Sequence, residues 1–153
     1  MLGPAIAFGQ DDTPAALNQR AASLDPVDYQ VVQPVCTRCH TAANFLHSRS
    51  WPEWQDVFSR MHANGATASD AQWGQIYRYF LKSLTTLNVN RAGEDELSDV
   101  LGVDEKIAIA IVRRRANRKF DGAEDLESVP GVSKEAVEAM EPRLLFDPLP
   151  QGR

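Results

Sequence analysis

Apolar residues recur at three- and four-residue steps in several stretches of the chain, which is the period of an amphipathic α-helix. The clearest stretch follows Ser69 and Asp70, both favourable N-cap residues. Its apolar positions are Trp73, Ile76, Tyr77, Phe80, Leu81 and Leu84. No stretch shows convincing two-residue alternation, so the pattern predicts an all-α fold in which strands are at most incidental.

A second helix is predicted to begin at Trp51-Pro52-Glu53, because proline is tolerated in the first turn of a helix. Its apolar face continues through Trp54, Val57, Phe58 and Met61, and Asn64-Gly65 is expected to end it. A shorter helix is indicated around Tyr29, Val32 and Cys36, where Pro34 removes a backbone donor and limits its length.

After Leu87 the chain changes to short helices separated by Gly and Pro, and we place a domain boundary there. Asn88 or Asn90 is a candidate cap for a first helix. The turns Gly102-Val103 and Pro130-Gly131-Val132 each separate two apolar helical segments, and Gly131 lies 29 residues after Gly102. This repetition predicts a duplicated helix-hairpin-helix unit.

The first ten residues, MLGPAIAFGQ, are apolar and contain Ala5-Ile6-Ala7, which is typical of a signal-peptidase site. We interpret them as the remnant of a signal peptide, with a disordered or tagged terminus as the alternative, and residues 11–28 as a lead-in segment. The chain has no run of about 18 apolar residues, so no membrane span is expected. The predicted organisation is therefore 1–28, 29–86 and 87–153, the last including a C-terminal tail.

The formal net charge is −5, from 16 basic and 21 acidic residues. Most of the acidic excess lies after residue 87. Proteins that bind nucleic acid usually show the opposite balance, because neutralising phosphates supplies much of their affinity. The composition therefore disfavours DNA as a partner without excluding it.

Both cysteines of the chain occur in the segment Cys36-Thr37-Arg38-Cys39-His40, the C-x-x-C-H spacing that attaches haem c. Two intervening residues let both thiols reach the two vinyl groups of one porphyrin, and His40 then supplies the proximal iron ligand. We expect one covalently attached haem c. Zinc would need further ligands, a thioredoxin-like pair would need a preceding strand, and a disulfide would close a small loop; these remain the alternatives.

Residues 29–86 resemble a compact class I cytochrome c, shortened between the C-x-x-C-H segment and the methionine stretch WQDVFSRMHANGA at 54–66. In that family the distal methionine lies a short loop before the C-terminal helix. The resemblance therefore implies Met61 as the distal ligand. His62 and His47 are the alternatives, and an iron without a sixth ligand would be open to small molecules.

Residues 87–147 resemble the tandem helix-hairpin-helix domain of the competence DNA-receptor family. The resemblance rests on the segments LNVNRA at 87–92, LGV at 101–103 and VPGV at 129–132. A similar fold occurs in an extrinsic subunit of photosystem II, where it makes protein contacts. DNA-binding members have Gly-hydrophobic-Gly hairpins, which let backbone N–H groups approach a phosphate. Here Asp104 and Ser133 replace the second glycine.

Five basic residues nevertheless cluster near the end of the second predicted helix of this unit: Arg113, Arg114, Arg115, Arg118 and Lys119. A solvated helix face, a protein contact and a nucleic-acid contact all remain open for them.

No Ser-His-Asp set, Walker loop or dinucleotide fingerprint is recognisable, so we expect a carrier and not an enzyme. The sequence predicts a periplasmic cytochrome that passes single electrons to a redox partner protein, with the second domain used for docking. The alternative is a DNA-binding protein in which haem is a structural or redox-sensing element.

Overall fold

The computed structural model describes residues 13–147, so the predicted signal-peptide remnant at residues 1–10 lies outside the described residues. Helices dominate the described part. Their bounds are α1 Pro14–Leu24, α2 Pro26–Cys36, α3 Trp51–Ala63, α4 Asp70–Ser83, α5 Glu94–Leu101, α6 Glu105–Asn117, α7 Ala123–Glu127 and α8 Lys134–Met140. Two single-turn 3₁₀ helices occur at Ala42–Asn44 and Glu141–Arg143. The prediction of a mainly helical fold is confirmed.

Helices α3 and α4 follow the sequence pattern closely, because both have strong apolar faces and capping boxes. The Ser69 hydroxyl accepts from the Gln72 backbone N–H, and the Gln72 side chain accepts from the Ser69 N–H. Helix α3 ends at Asn64, and Gly65 adopts a positive φ of 89° directly after it. The local sequence therefore sets both ends of α3.

Two helices differ from the sequence expectation. The region expected to be a lead-in segment contains α1, which buries Leu17 and Ala21 against the rest of the protein. Helix α2 begins at Pro26, before the predicted Tyr29, and continues through Pro34 to Cys36. Its Asp25 N-cap and buried Tyr29 and Val32 stabilise it by capping and packing, which outweigh the lost donor of Pro34.

Helix α2 packs across α4 through polar as well as apolar contacts. Arg78 donates two hydrogen bonds to the buried carboxylate of Asp28, at 2.8 and 2.6 Å. The ring of Tyr29 contacts that of Tyr79, whose hydroxyl donates to the backbone carbonyl of Ala21 at 2.8 Å. These contacts fix α1, α2 and α4 relative to one another.

A small parallel sheet crosses the predicted domain boundary. Its strands are β1 Arg49–Ser50, β2 Thr85–Asn88 and β3 Leu144–Leu145, in the order β1-β2-β3. Arg49 pairs with Thr85, and Leu87 pairs with Leu144. The segment joining the two halves is thus the central strand of a sheet, and buried apolar side chains from both halves form one cluster.

Asn88 and Asn90, the expected caps of the first helix after the boundary, do not cap it. Gly93 occupies the N-cap position of α5. Asn88 belongs to β2, and the buried Asn90 side chain bonds the backbone of Phe120 and Phe146. The Asn90 side chain therefore connects the two later loops that contain Phe120 and Phe146.

Candidate functional site

The end of α2 positions the two cysteines and the adjacent histidine. Cys36 is the last residue of the helix, and the Thr37 backbone N–H and hydroxyl both donate to the carbonyl of Gln33. The chain then turns, which leaves Cys36 buried, Cys39 exposed and His40 partly buried. The turn thus presents all three side chains on one short segment.

These residues line one cavity of about 130 Å³ together with Met61. The complete lining is Val35, Cys36, Cys39, His40, Met61, Asn64, Ala66 and Trp73. Met61 lies in the last part of α3 and Trp73 in the first part of α4. The structure therefore brings the C-x-x-C-H segment and the candidate distal methionine to the same cavity from separate elements.

The two thiols are free in the structure. Burial raises the pKa of the Cys36 thiol to about 12, so it is protonated at neutral pH. A thioredoxin-like pair needs the opposite, a nucleophilic thiol whose pKa is lowered by its surroundings. The environment of Cys36 therefore disfavours the thiol-disulfide exchange alternative.

The His40 ring has a defined orientation. Its Nδ1 lies 3.1 Å from the backbone carbonyl oxygen of Thr41, and because a carbonyl only accepts, Nδ1 carries the proton. The lone pair is then on Nε2. A histidine that binds a metal through one nitrogen commonly donates its other N–H to a carbonyl in this way.

The alternative histidine ligands line other cavities. His62 follows Met61 in α3, but its ring packs against Trp73 with centroids 4.1 Å apart and its Nε2 lies 3.2 Å from the Tyr77 hydroxyl. His47 stacks on Trp54 and accepts a hydrogen bond from the guanidinium of Arg49 at 2.9 Å. Burial, followed by the charge of Arg49, lowers the pKa of His47.

A metal site built from protein ligands alone has no counterpart in the described region. Among residues 13–147, no group of three or more His, Cys, Asp or Glu side chains could hold a metal ion. Structural zinc takes four such ligands, so the zinc alternative gains no support there.

The two predicted hairpins form at the expected glycines. Gly102 has a φ of 63° and ends α5, and Gly131 has a φ of 92° and precedes α8. The residues that replace the second glycine both become helix N-caps: Asp104 precedes α6, and the Ser133 hydroxyl accepts from the Ala136 N–H of α8. At α8 the capping Ser133 hydroxyl therefore stands where a phosphate would need access to bare backbone, and at α6 the Asp104 carboxylate, which makes no capping hydrogen bond, places a negative charge there.

Most of the basic cluster at the end of α6 is used in internal contacts. Arg114 pairs with Asp125 and stacks on the ring of Phe120 at 4.1 Å. Arg115 donates to the Val89 carbonyl at 2.8 Å, and Arg118 pairs with Asp121. These contacts stabilise the fold of the second half and reduce the positive charge available to a polyanion.

Residues 82–145 match the family model described as the helix-hairpin-helix motif. This segment carries a helix-hairpin-helix motif. The match covers less than half of the chain and includes both hairpins and helices α5 to α8. No curated protein and no solved structure matches the chain. The helix-hairpin-helix prediction is confirmed, and the motif indicates either nucleic-acid binding or protein docking.

Sequence reasoning missed the residues that connect the helix-hairpin-helix segment to the first half. The Trp51 indole N–H donates to Asp99 at 3.1 Å, and Arg143 donates to the carbonyls of Leu81 and Thr85 at 3.2 and 2.8 Å. In the sequence Trp51 carries only the signal of a core aromatic at a helix start, and no signal marks Arg143.

No helix within residues 13–147 has the length and apolar character needed to span a bilayer.

Proposed function

We propose that this protein is an exported monohaem c-type cytochrome that carries single electrons, with the helix-hairpin-helix segment as its docking module. The observation that carries the proposal is the shared cavity of Cys36, Cys39, His40 and Met61. Two thiols, an imidazole and a thioether are the groups that attach haem c and complete a His/Met ligand set.

The residues that line the cavity are chemically suited to a haem. Val35, Ala66 and Trp73 supply apolar surface next to the thiols, and the hydrogen bond between His40 Nδ1 and Thr41 leaves Nε2 available to bind a metal. Bound haem c would supply one-electron chemistry through its Fe(III)/Fe(II) couple. Cys36 and Cys39 would hold it by thioether bonds, His40 would bind iron through Nε2, and Met61 would bind through its sulfur.

The surroundings of these side chains would influence electron transfer by a bound haem. The Thr41 carbonyl accepts a hydrogen bond from His40 Nδ1 and thereby orients the ring. The buried Cys36 and Trp73 exclude water from one side of the cavity, and lower polarity favours the less charged redox state. We propose a carrier and not an enzyme, located in the periplasm, where haem c is attached.

We propose that the helix-hairpin-helix segment docks a redox partner protein. Its support is the charge balance of residues 88–147, with 9 basic and 14 acidic residues, and the engagement of Arg114, Arg115 and Arg118 in internal contacts. Both features weaken a sequence-independent attraction to phosphates. Carriers of this kind form weak, short-lived complexes with their partners.

The haem proposal is tested by expression with the covalent haem-attachment machinery and by absorption spectra of oxidised and reduced protein. We expect a c-type spectrum that the Cys36→Ala/Cys39→Ala variant lacks. The weak near-red band of methionine bound to ferric haem should disappear in Met61→Ala. It should persist in Met140→Leu, which alters a buried methionine of α8, and in His62→Ala.

Carbon monoxide distinguishes the open-iron alternative. If Met61 binds iron, the reduced wild-type protein resists carbon monoxide and Met61→Ala binds it. Immediate binding by the wild type, with no near-red methionine band, would replace the electron-carrier proposal by ligand sensing.

The second candidate function is DNA binding, which the helix-hairpin-helix match favours. It is tested by a mobility-shift assay with double-stranded DNA over a range of salt concentrations. We expect weak binding that moderate salt abolishes. A tight complex that resists salt and is lost in Arg113→Ala/Lys119→Ala, two basic residues outside the internal ion pairs, would reverse the preference.

A further inference from the structure

A series of aromatic rings extends from the cysteine-lined cavity towards the helix-hairpin-helix segment. Trp73 lines the cavity, and its indole stacks on Tyr77 with centroids 5.8 Å apart. Tyr77 meets Trp51 edge to face at 6.5 Å. Trp73 and Trp51 are buried and Tyr77 is partly buried, so the three rings are held within the packed protein.

The far end of this series opens on a groove between α3 and the start of α5. Trp51 lines the groove and donates its indole N–H to Asp99. The groove has a volume of about 520 Å³ and is lined by Trp51, Pro52, Gln55, Gly93, Asp95, Glu96, Ser98 and Asp99. One wall therefore comes from the first half of the chain and the other from the helix-hairpin-helix segment.

Resting on the function proposed above, we propose that Trp73, Tyr77 and Trp51 form the electron path between the haem cavity and the protein surface at this groove. Aromatic π systems separated by short gaps couple donor and acceptor better than aliphatic packing does. A bound haem would give up one electron, a redox partner at the groove would take it up, and no bond would form or break.

Phe58 holds the middle of the path in place. Its ring lies 4.9 Å from that of Tyr77 and 6.2 Å from that of Trp51, and it is buried. Edge-to-face and tilted contacts of this kind restrict ring motion. The geometry between Tyr77 and Trp51 is therefore set by the core of the first half.

The path can be tested by attaching a ruthenium photo-oxidant to the haem-loaded protein at the groove. Gln55 is exposed on α3 and lines the groove, so the thiol of Gln55→Cys is a suitable attachment point. A light flash excites the label, and a soluble electron acceptor then takes an electron from it. The oxidised label in turn takes one electron from the protein. Transient absorption then follows two signals, a tryptophan radical and the oxidation of ferrous haem.

We expect the tryptophan radical to form before haem oxidation and to be lost in Trp51→Leu. Tyr77→Leu should slow haem oxidation about tenfold or more, and Tyr77→Phe, which keeps the ring, should restore the rate. Phe120→Leu is the matched control, because Phe120 is a buried aromatic of the helix-hairpin-helix segment whose ring packs on Arg114 and not on the series. The reduction potential of each variant shows whether the haem site is intact.

The same flash on the Cys36→Ala/Cys39→Ala variant, which carries the label only at Gln55→Cys, provides a readout that needs no haem. In that protein the tryptophan radical should persist, because no ferrous iron is present to reduce it. Equal haem-oxidation rates in Tyr77→Leu, Phe120→Leu and the parent would overturn the path while leaving the cytochrome proposal intact. Failure to attach haem at all would instead contradict the proposed function.

Discussion

Trp51 donates its indole N–H to the Asp99 carboxylate at 3.1 Å, although the two residues belong to α3 and α5. The bond joins the first half of the chain to the helix-hairpin-helix segment. Asp99→Ala should lower the free energy of unfolding by about 1 kcal/mol, because it leaves a buried indole without an acceptor. Asp95→Ala is the control, since Asp95 lies in the same groove and is exposed. Chemical denaturation measures both variants, and an equal loss in both would contradict this role.

Asn90 should be among the most sensitive polar residues of the protein. Its side chain is fully buried, donates to the carbonyls of Phe120 and Phe146 at 2.9 Å, and accepts from the Phe120 N–H. Asn90→Ala leaves these backbone groups unpaired, and we expect a loss of about 2 to 4 kcal/mol in the free energy of unfolding. Asn88→Ala is a control with a partly exposed side chain. A similar, small change in both variants would show that water replaces the Asn90 contacts.

Glycine is required to different degrees in the two hairpins. A Cβ at Gly102 would meet nothing within 4 Å, whereas a Cβ at Gly131 would lie 2.5 Å from Cδ1 of Ile107. Both residues have a positive φ, which costs a non-glycine residue about 1 to 2 kcal/mol. Gly131→Ala should therefore destabilise the protein by about 1 kcal/mol more than Gly102→Ala. Thermal unfolding of the two variants gives the difference, and the reverse order would contradict the packing argument.

The Asp28 carboxylate should make the first half sensitive to acid. Hydrogen bonding from Arg78 lowers the pKa of Asp28 below its ordinary value of 3.8. Its stabilisation is therefore complete above that value and is lost as the pH falls through the lower pKa of the folded state. At neutral pH Asp28→Asn should lower the free energy of unfolding by about 1 to 3 kcal/mol. The range is kept small because the Arg78 side chain is 45% exposed and solvent screens its charge.

The difference between wild type and Asp28→Asn should shrink as the pH falls below about 4. Unfolding in urea at neutral and acidic pH measures it. A difference that stays constant with pH would mean that the aspartate contributes by packing alone.

The parts of the fold that the sequence predicted are those with redundant local signals. Helix α4 combines a serine N-cap, a capping box and a long apolar face, and the hairpin glycines adopt the positive φ that their context requires. Helix α1 was missed because its Ala-rich sequence has a weak apolar face, and only Leu17 and Ala21 are buried. Tertiary packing against α2 decides its position.

The small sheet could not be predicted, because its two outer strands have two residues each and its central strand has four, too few to show convincing alternation. Non-local pairing of Thr85 with Arg49 and of Leu87 with Leu144 creates it. In the candidate site, the motif selected Cys36, Cys39 and His40 from the sequence alone. Only the structure shows that Met61 lines their cavity and that His62 packs against Trp73 instead.

We propose that the cavity of Cys36, Cys39, His40 and Met61 holds one covalent haem. The mass and the alkaline pyridine spectrum of denatured protein, recorded after expression with the haem-attachment machinery, test this directly. We expect one haem per chain, attached through two thioether bonds, and none in Cys36→Ala/Cys39→Ala. Folded wild-type protein that carries no haem under these conditions would contradict it.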